Sequence, residues 1–151
     1  MPNVYVVLGE ANARKSSTAR TLTGVPQRKC VTVATNSGDI DIFVQISSLQ
    51  ESKITPDDFI NEMTSGGYDN VLVTLWISQR FTSTGVYPAG VDYLHAFVAA
   101  GWNIAQIVVL GTSTLPSALP ASAPSPNFIP NSWSTPVNQI ASQVRAWWGW
   151  V

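Results

Sequence analysis

VYVVLGEANARKSSTARTLTG, residues 4–24, is a short apolar run, a loop and a helix-forming stretch in direct succession. Val4 to Leu8 is continuously apolar and ends at Gly9, the pattern of a strand buried on both faces. The helix-forming stretch starts at about Lys15 and runs to Leu22, with Gly24 and Pro26 as stop signals. Between strand and helix stands Gly9-Glu10-Ala11-Asn12-Ala13-Arg14-Lys15-Ser16-Ser17. Backbone N–H groups at a helix start point at an incoming anion, and the helix dipole adds partial positive charge. In such a junction Lys15 reaches the outer phosphates of a ligand and the Ser16 hydroxyl serves as a magnesium ligand.

The rest of the chain repeats the alternation of strand and helix. Cys30 to Thr35 and Ile40 to Ile46 show period-2 apolar spacing around the turn residues Asn36-Ser37-Gly38-Asp39, which predicts an antiparallel hairpin. Thr55-Pro56-Asp57-Asp58 is a helix start with a capping residue, a proline at the first position and acids for the dipole. Phe59, Ile60 and Met63 give that helix an apolar face, and Ser65-Gly66-Gly67 ends it. Val71 to Ile77 and Ile104 to Leu110 read as further buried strands. A helix over Pro88 to Ala100, with Val91, Leu94, Phe97 and Val98 inward, separates them. Residues 113–134 carry five prolines among serines and alanines, which predicts a long irregular loop. From Thr135-Pro136 a last helix, rich in tryptophan, runs toward residue 151.

Composition bounds the function. The 151 residues suit one domain over 1–151, and only 11% are charged, against about 25% in ordinary soluble domains. The net charge of −1 argues against a dedicated nucleic-acid binder but leaves room for one phosphate anion. So little surface charge also points to a homo-oligomer or a protein partner. Cys30 is alone, which excludes an internal disulfide, and no Cys/His cluster suggests zinc. The first residues lack a basic leader pattern, and no run of about 20 apolar residues predicts a membrane span, so a cytoplasmic soluble protein is the expectation.

Residues 9–17 resemble the Walker A motif of P-loop NTPases, and are most similar to its GTPase branch. Asn12 precedes the Arg14-Lys15-Ser16 triplet at the spacing of that branch, Leu22-Thr23-Gly24 matches its helix ending, and a hairpin follows. The resemblance implies an α/β three-layer sandwich with a mainly parallel sheet and one antiparallel edge hairpin. It implies that Gly9, Asn12, Ala13, Arg14, Lys15, Ser16 and Ser17 hold phosphates, with Mg2+ on Ser16. Three departures accompany it. Arg14 replaces the second motif glycine, adding both bulk and a cation. Gln45-Ile46-Ser47-Ser48 stands where a magnesium-side Asp-x-x-Gly belongs, leaving Gln45, Ser47 and Ser48 to hold a metal-bound water. Gly111-Thr112-Ser113-Thr114 has no Lys or Asp where guanine would be read.

Arg80 follows the strand ending at Ile77, on the ligand side expected for an open α/β sheet. That rule gathers residues 9–17, 45–50, 78–83 and 111–116 around one site. Asp39 and Asp41, the carboxylates a small P-loop kinase would use, fall at the hairpin end, and His95 has no visible acid or nucleophile as partner. Trp147, Trp148 and Trp150 either dock the last helix or form a partner patch. The proline-rich stretch is either a lid or a crossing segment. The leading expectation is a nucleoside-triphosphate binder with slow or no hydrolysis. The alternatives are a degenerate P-loop fold kept as an interaction or assembly module, and a small kinase.

Overall fold

The computed structural model describes residues 2–151. The chain runs β1 (Asn3–Gly9), α1 (Lys15–Thr23), β2 (Lys29–Thr35), β3 (Gly38–Gln45), α2 (Pro56–Gly66), β4 (Asn70–Leu75), β5 (Arg80–Thr82), β6 (Gly85–Tyr87), α3 (Gly90–Ala99), β7 (Asn103–Leu110), β8 (Asn127–Ile129), a 3-10 turn (Ser132–Ser134) and α4 (Val137–Trp148). Six strands form one sheet in the order β2-β3-β4-β1-β7-β8, and β5 and β6 pair separately. All neighbours in the large sheet are parallel except β2 and β3, the expected edge hairpin.

The uninterrupted apolar run of β1 is explained by what lies on each side of it. Val4, Val6 and Leu8 join a cluster with Phe59 and Met63 of α2 and Leu94 and Phe97 of α3. Val7 joins a second cluster with Ala19 and Leu22 of α1 and Ile140 and Val144 of α4. A strand with apolar partners for both sets of side chains cannot alternate apolar with polar residues. Thr55 caps α2 as its spacing predicts, its hydroxyl accepting from Asp58 N at 3.2 Å.

Two elements were not legible in advance. Residues 113–134 are not wholly irregular: Asn127–Ile129 form β8, an edge strand paired in register with Val108–Leu110. Three residues between Pro126 and Pro130 suffice because an edge strand needs ladder bonds on one side only. The second is the β5–β6 hairpin, whose three-residue strands are too short to display a period. Leu115, Leu119 and Ala123 of the proline-rich segment pack on the core cluster that holds Phe59 of α2 and Phe97 of α3, so this part of it is a crossing segment.

The tryptophans at the end of the chain dock. Trp148 and Trp150 are buried, with ring centroids 5.5 and 5.2 Å from that of Tyr5. Trp150 also bridges to Thr35, and Asn36 N donates to Gly149 O at 2.8 Å, fixing the hairpin tip. Trp147 remains half-buried. Among the described residues no helix is long and apolar enough to cross a membrane.

Candidate functional site

β1, β4 and β7 end together. Leu8 lies opposite Leu75 on one side and Val109 on the other, so the loops that follow emerge at one edge of the sheet. The β1–α1 loop turns back tightly there. A Cβ on Gly9 would stand 2.9 Å from Ala13 Cβ and 3.2 Å from Leu110 O, so this position admits only glycine without rearrangement. Asn12 (φ 66°) and Arg14 (φ 69°) both adopt left-handed backbone. For an arginine that conformation costs about 1–2 kcal/mol relative to the right-handed region. Arg14 thus holds a backbone conformation that glycine adopts without steric cost.

Two contacts hold it in that shape. The Arg14 guanidinium donates to Trp133 O from Nη2 at 3.1 Å and from Nε at 3.3 Å. The buried Ser132 hydroxyl donates to Ala13 O at 2.9 Å. Arg14 thus ties the loop to the 3-10 turn, a role that neither its bulk nor its charge foretold. As the N-cap of α1 it supplies no side-chain cap, and the first turn of that helix carries no acid. The first N–H groups of a helix have no intrahelical acceptors, so they are left to whatever occupies the loop.

Lys15 is only 5% exposed. Its Nζ donates to Glu10 O at 3.0 Å, one acceptor for a group with three N–H bonds. Burial pushes its pKa below the ordinary lysine value, opposed by the charges of Glu51 and Glu10. Beside it the half-buried Ser16 hydroxyl donates to Ile46 O at 3.2 Å. A hollow of about 230 Å³ lies over Lys15, Ser16 and Ser17, and Glu51 and Trp76 complete its wall.

Glu51 and Trp76 were missed in the sequence. Glu51 Oε1 accepts from Ser48 Oγ at 2.8 Å and from Trp76 Nε1 at 2.9 Å. Glu51 N donates back to Ser48 Oγ at 3.1 Å. The two residues thus bond each other across a turn, and the spacing Ser48-Leu49-Gln50-Glu51 was its available signal. Trp76 enters because β4 stands between β1 and β3. The chain leaving the hairpin crosses the end of β4, with Leu49 N donating to Thr74 O and Thr74 Oγ1 to Ile46 O.

The other expected residues divide. Gln45 and Ser47 line a separate hollow with Arg20 and Arg28 and do not face Lys15. The Gln45 amide is fully engaged there, donating to Ser47 O and Ser52 Oγ and accepting from Arg28. Arg28 in turn pairs with Glu62 at 2.6 Å. Ser48 reaches the site only through Glu51. Arg80 lies 5.2 Å from the centre of the Trp76 ring and donates to Gln50 O at 3.4 Å, next to the hollow but outside its lining. Gln50 is buried, its Nε2 donating to both Trp76 O and Pro88 O while Oε1 accepts from Trp76 N. The Glu10 carboxylate accepts from Ser78 N and Oγ, joining the β1 and β4 loops. His95 bonds Ala118 O at 2.9 Å, a tether for the proline-rich segment.

Chemically, the hollow offers the buried cation of Lys15 with Arg14 in its lining, an uncapped helix start, two serine hydroxyls and one carboxylate. Among the described residues no group of three His, Cys, Asp or Glu is arranged for a metal. Ser16 and Glu51 are hard oxygen donors of the kind magnesium takes alongside water and substrate phosphates. Comparison with family models, with curated proteins and with solved structures gives no match.

Proposed function

We propose that this chain binds a nucleoside triphosphate through residues 9–17, with slow turnover. The observation that carries the reading is Lys15, a buried ammonium with one carbonyl acceptor at an uncapped helix start. Glu51 and Glu10 favour the ammonium without forming an ion pair with it. Burying a charge without a paired counter-ion is costly, and a phosphate chain supplies both a direct counter-charge and the missing acceptors. P-loop kinship and a three-layer arrangement of the sheet and helices belong to the same proposal. Gly9 and Ala13 shape the loop in this reading, Lys15 and the N–H groups of Ser16 and Ser17 meet phosphate oxygens, and Asn12 flanks them. Arg14 acts on the loop's shape through Trp133.

Magnesium, held by Ser16 with Glu51 behind it, would neutralise phosphate charge. Glu51 is the carboxylate of this hollow, within reach of a water on the ligand side, and its anchoring by Ser48 and Trp76 fixes its direction. Hydrolysis also requires charge stabilisation at the terminal phosphate. Arg80 is held on Trp76 rather than in the hollow, which is the reason for expecting slow turnover.

Calorimetry with Mg–ATP and Mg–GTP tests the proposal. Heat of binding that disappears in Lys15→Ala is expected. No heat with either nucleotide would sink it.

The interaction-module reading has one observation of its own. Phe81 and Val86, a cross-strand pair on the β5–β6 hairpin, are 70% and 54% exposed. Concentration-dependent association, independent of nucleotide and lost in Phe81→Ser, would favour that reading.

A further inference from the structure

A second hollow, of about 300 Å³, flanks the opposite side of the β1–α1 loop. It shares Ala11 and Asn12 with the hollow over Lys15, so the two adjoin across the crest of the loop. Buried Ile77 and Leu110 make it predominantly apolar, and Trp133 forms one wall.

Trp133 is the feature that core packing does not explain. Its side chain is 59% exposed, while Trp102, Trp148 and Trp150 are buried. Yet its backbone is held by hydrogen bonds. Arg14 holds the Trp133 carbonyl, and the neighbouring Ser132 hydroxyl holds Ala13 O. The backbone that bears this exposed indole is thus clamped to the loop that carries Lys15. Gly111 runs past the ring: a Cβ there would lie 3.3 Å from Ala13 and 3.9 Å from Trp133 Cε3. Without that Cβ the hollow stays open along the ring.

Of the polar side chains in this hollow, Glu10 and Thr112 are already engaged, and the exposed Asn12 amide at the crest of the loop stands apart from the ring wall. Thr112 Oγ1 donates to Thr114 O at 3.2 Å, and the Glu10 carboxylate is taken by Ser78. Apart from that one amide, a ligand here meets an aromatic face and apolar walls rather than a set of directed donors and acceptors. Aromatic stacking is available to every base because each has a π-face, whereas discrimination between bases needs hydrogen bonds to their edges.

We propose that this hollow holds the base of the nucleotide whose phosphates lie over Lys15, stacked on Trp133, and that it does not distinguish adenine from guanine. The proposal rests on the phosphate-binding reading above. Because Trp133 is exposed and clamps the loop only through its backbone, replacing its side chain leaves those clamping bonds in place.

The test is calorimetry of the full chain and of Trp133→Ala and Trp133→Phe, each with Mg–ATP, Mg–GTP and Mg–tripolyphosphate. In the parent, ATP and GTP are expected to bind within about threefold of each other, and both about tenfold or more tighter than tripolyphosphate. Trp133→Ala should weaken both nucleotides by roughly 5- to 100-fold, leave tripolyphosphate unchanged, and be largely rescued in Trp133→Phe. Tripolyphosphate binding as tightly as the nucleotides overturns the stacking proposal while leaving the phosphate site standing. An equal loss for all three ligands in Trp133→Ala assigns the residue to loop structure instead. A tenfold preference for one purine overturns the lack of discrimination. Failure of all three ligands to bind the parent removes the phosphate site, and the base site with it.

Discussion

The two ends of β1 both bury hydrogen-bond donors, and they do so in different ways. At its amino end Tyr5 meets Trp148 and Trp150, which themselves pack edge to face at 5.2 Å. The indole N–H of Trp148 has no acceptor there. At its carboxyl end Lys15 is buried with one acceptor. A dry indole N–H costs about 1–3 kcal/mol, which the packing of three large rings readily offsets. A buried ammonium costs considerably more and has no such packing to offset it. The aromatic end is therefore complete as it stands. The loop end, on the proposed reading, is completed by an anion.

Substitutions at the two ends are therefore expected to separate stability from binding. The largest effect is expected at the aromatic end: Trp148→Ala should lower unfolding stability by about 3–5 kcal/mol in a urea titration. Mg–ATP affinity of the folded variant should change less than about twofold, because neither hollow lies at that end. A marked loss of affinity would mean that β1 couples its ends.

Lys15→Met is expected to do the reverse. Nucleotide affinity should fall by about 100-fold, near 3 kcal/mol, while stability stays within about 1 kcal/mol of the parent, since a buried charge is exchanged for an apolar chain. A stability loss as large as that of Trp148→Ala would make Lys15 a structural group and erase the contrast. Arg14→Gly is a smaller change. It relieves left-handed strain of about 1–2 kcal/mol but removes the bonds to Trp133 O, so the net should be within about 1 kcal/mol. Hydrogen exchange should nonetheless quicken in residues 132–135; unchanged protection would show that Ser132 alone holds the turn.

The smallest effect concerns pH. Burial lowers the Lys15 pKa, so between that lowered value and the ordinary lysine value the unfolded chain binds more protons than the folded one. Stability contributed at this position rises with pH across that window. Below it, the full cost of the buried ammonium is present. The stability of the parent minus that of Lys15→Met should therefore increase as pH is raised toward about 10.4. Saturating nucleotide should shift the rise to higher pH, because phosphate favours the charged lysine. A flat difference would leave Lys15 with an unperturbed ammonium.

The parts of this molecule that could be read in advance are those encoded by neighbouring residues. Val4 to Leu8 announces a strand covered on both sides, Asn36 to Asp39 a hairpin, and Thr55 with Pro56 a helix start. Lys15 and Ser16 were recognised because a strand, a turn and a helix bring them to one hollow within a few residues. Glu51 and Trp76 could not be found that way. Their approach to Lys15 depends on β4 lying between β1 and β3, and strand order is a property of the assembled sheet. Gln45 was misplaced for the same reason: sequence proximity to the hairpin end does not tell which side of the sheet its amide serves. Trp133 was hidden in a segment whose prolines spoke only of irregularity.

Gln50 has a consequence for how this chain tolerates change. One amide holds Trp76 and Pro88 together, and the eleven residues between them form the excursion that carries β5 and β6. With its two stems stapled at a fixed distance, the excursion does not have to keep its own length for the sheet to form. Closing a longer loop costs little once its ends are held, roughly 0.6 kcal/mol per doubling. The hairpin interval 81–86, beyond buried Ile77 and the Ser78 tie to Glu10, is thus the natural port for splicing a foreign segment into this scaffold, delivering new side chains to the rim beside Trp76 while β4 and α3 keep their places.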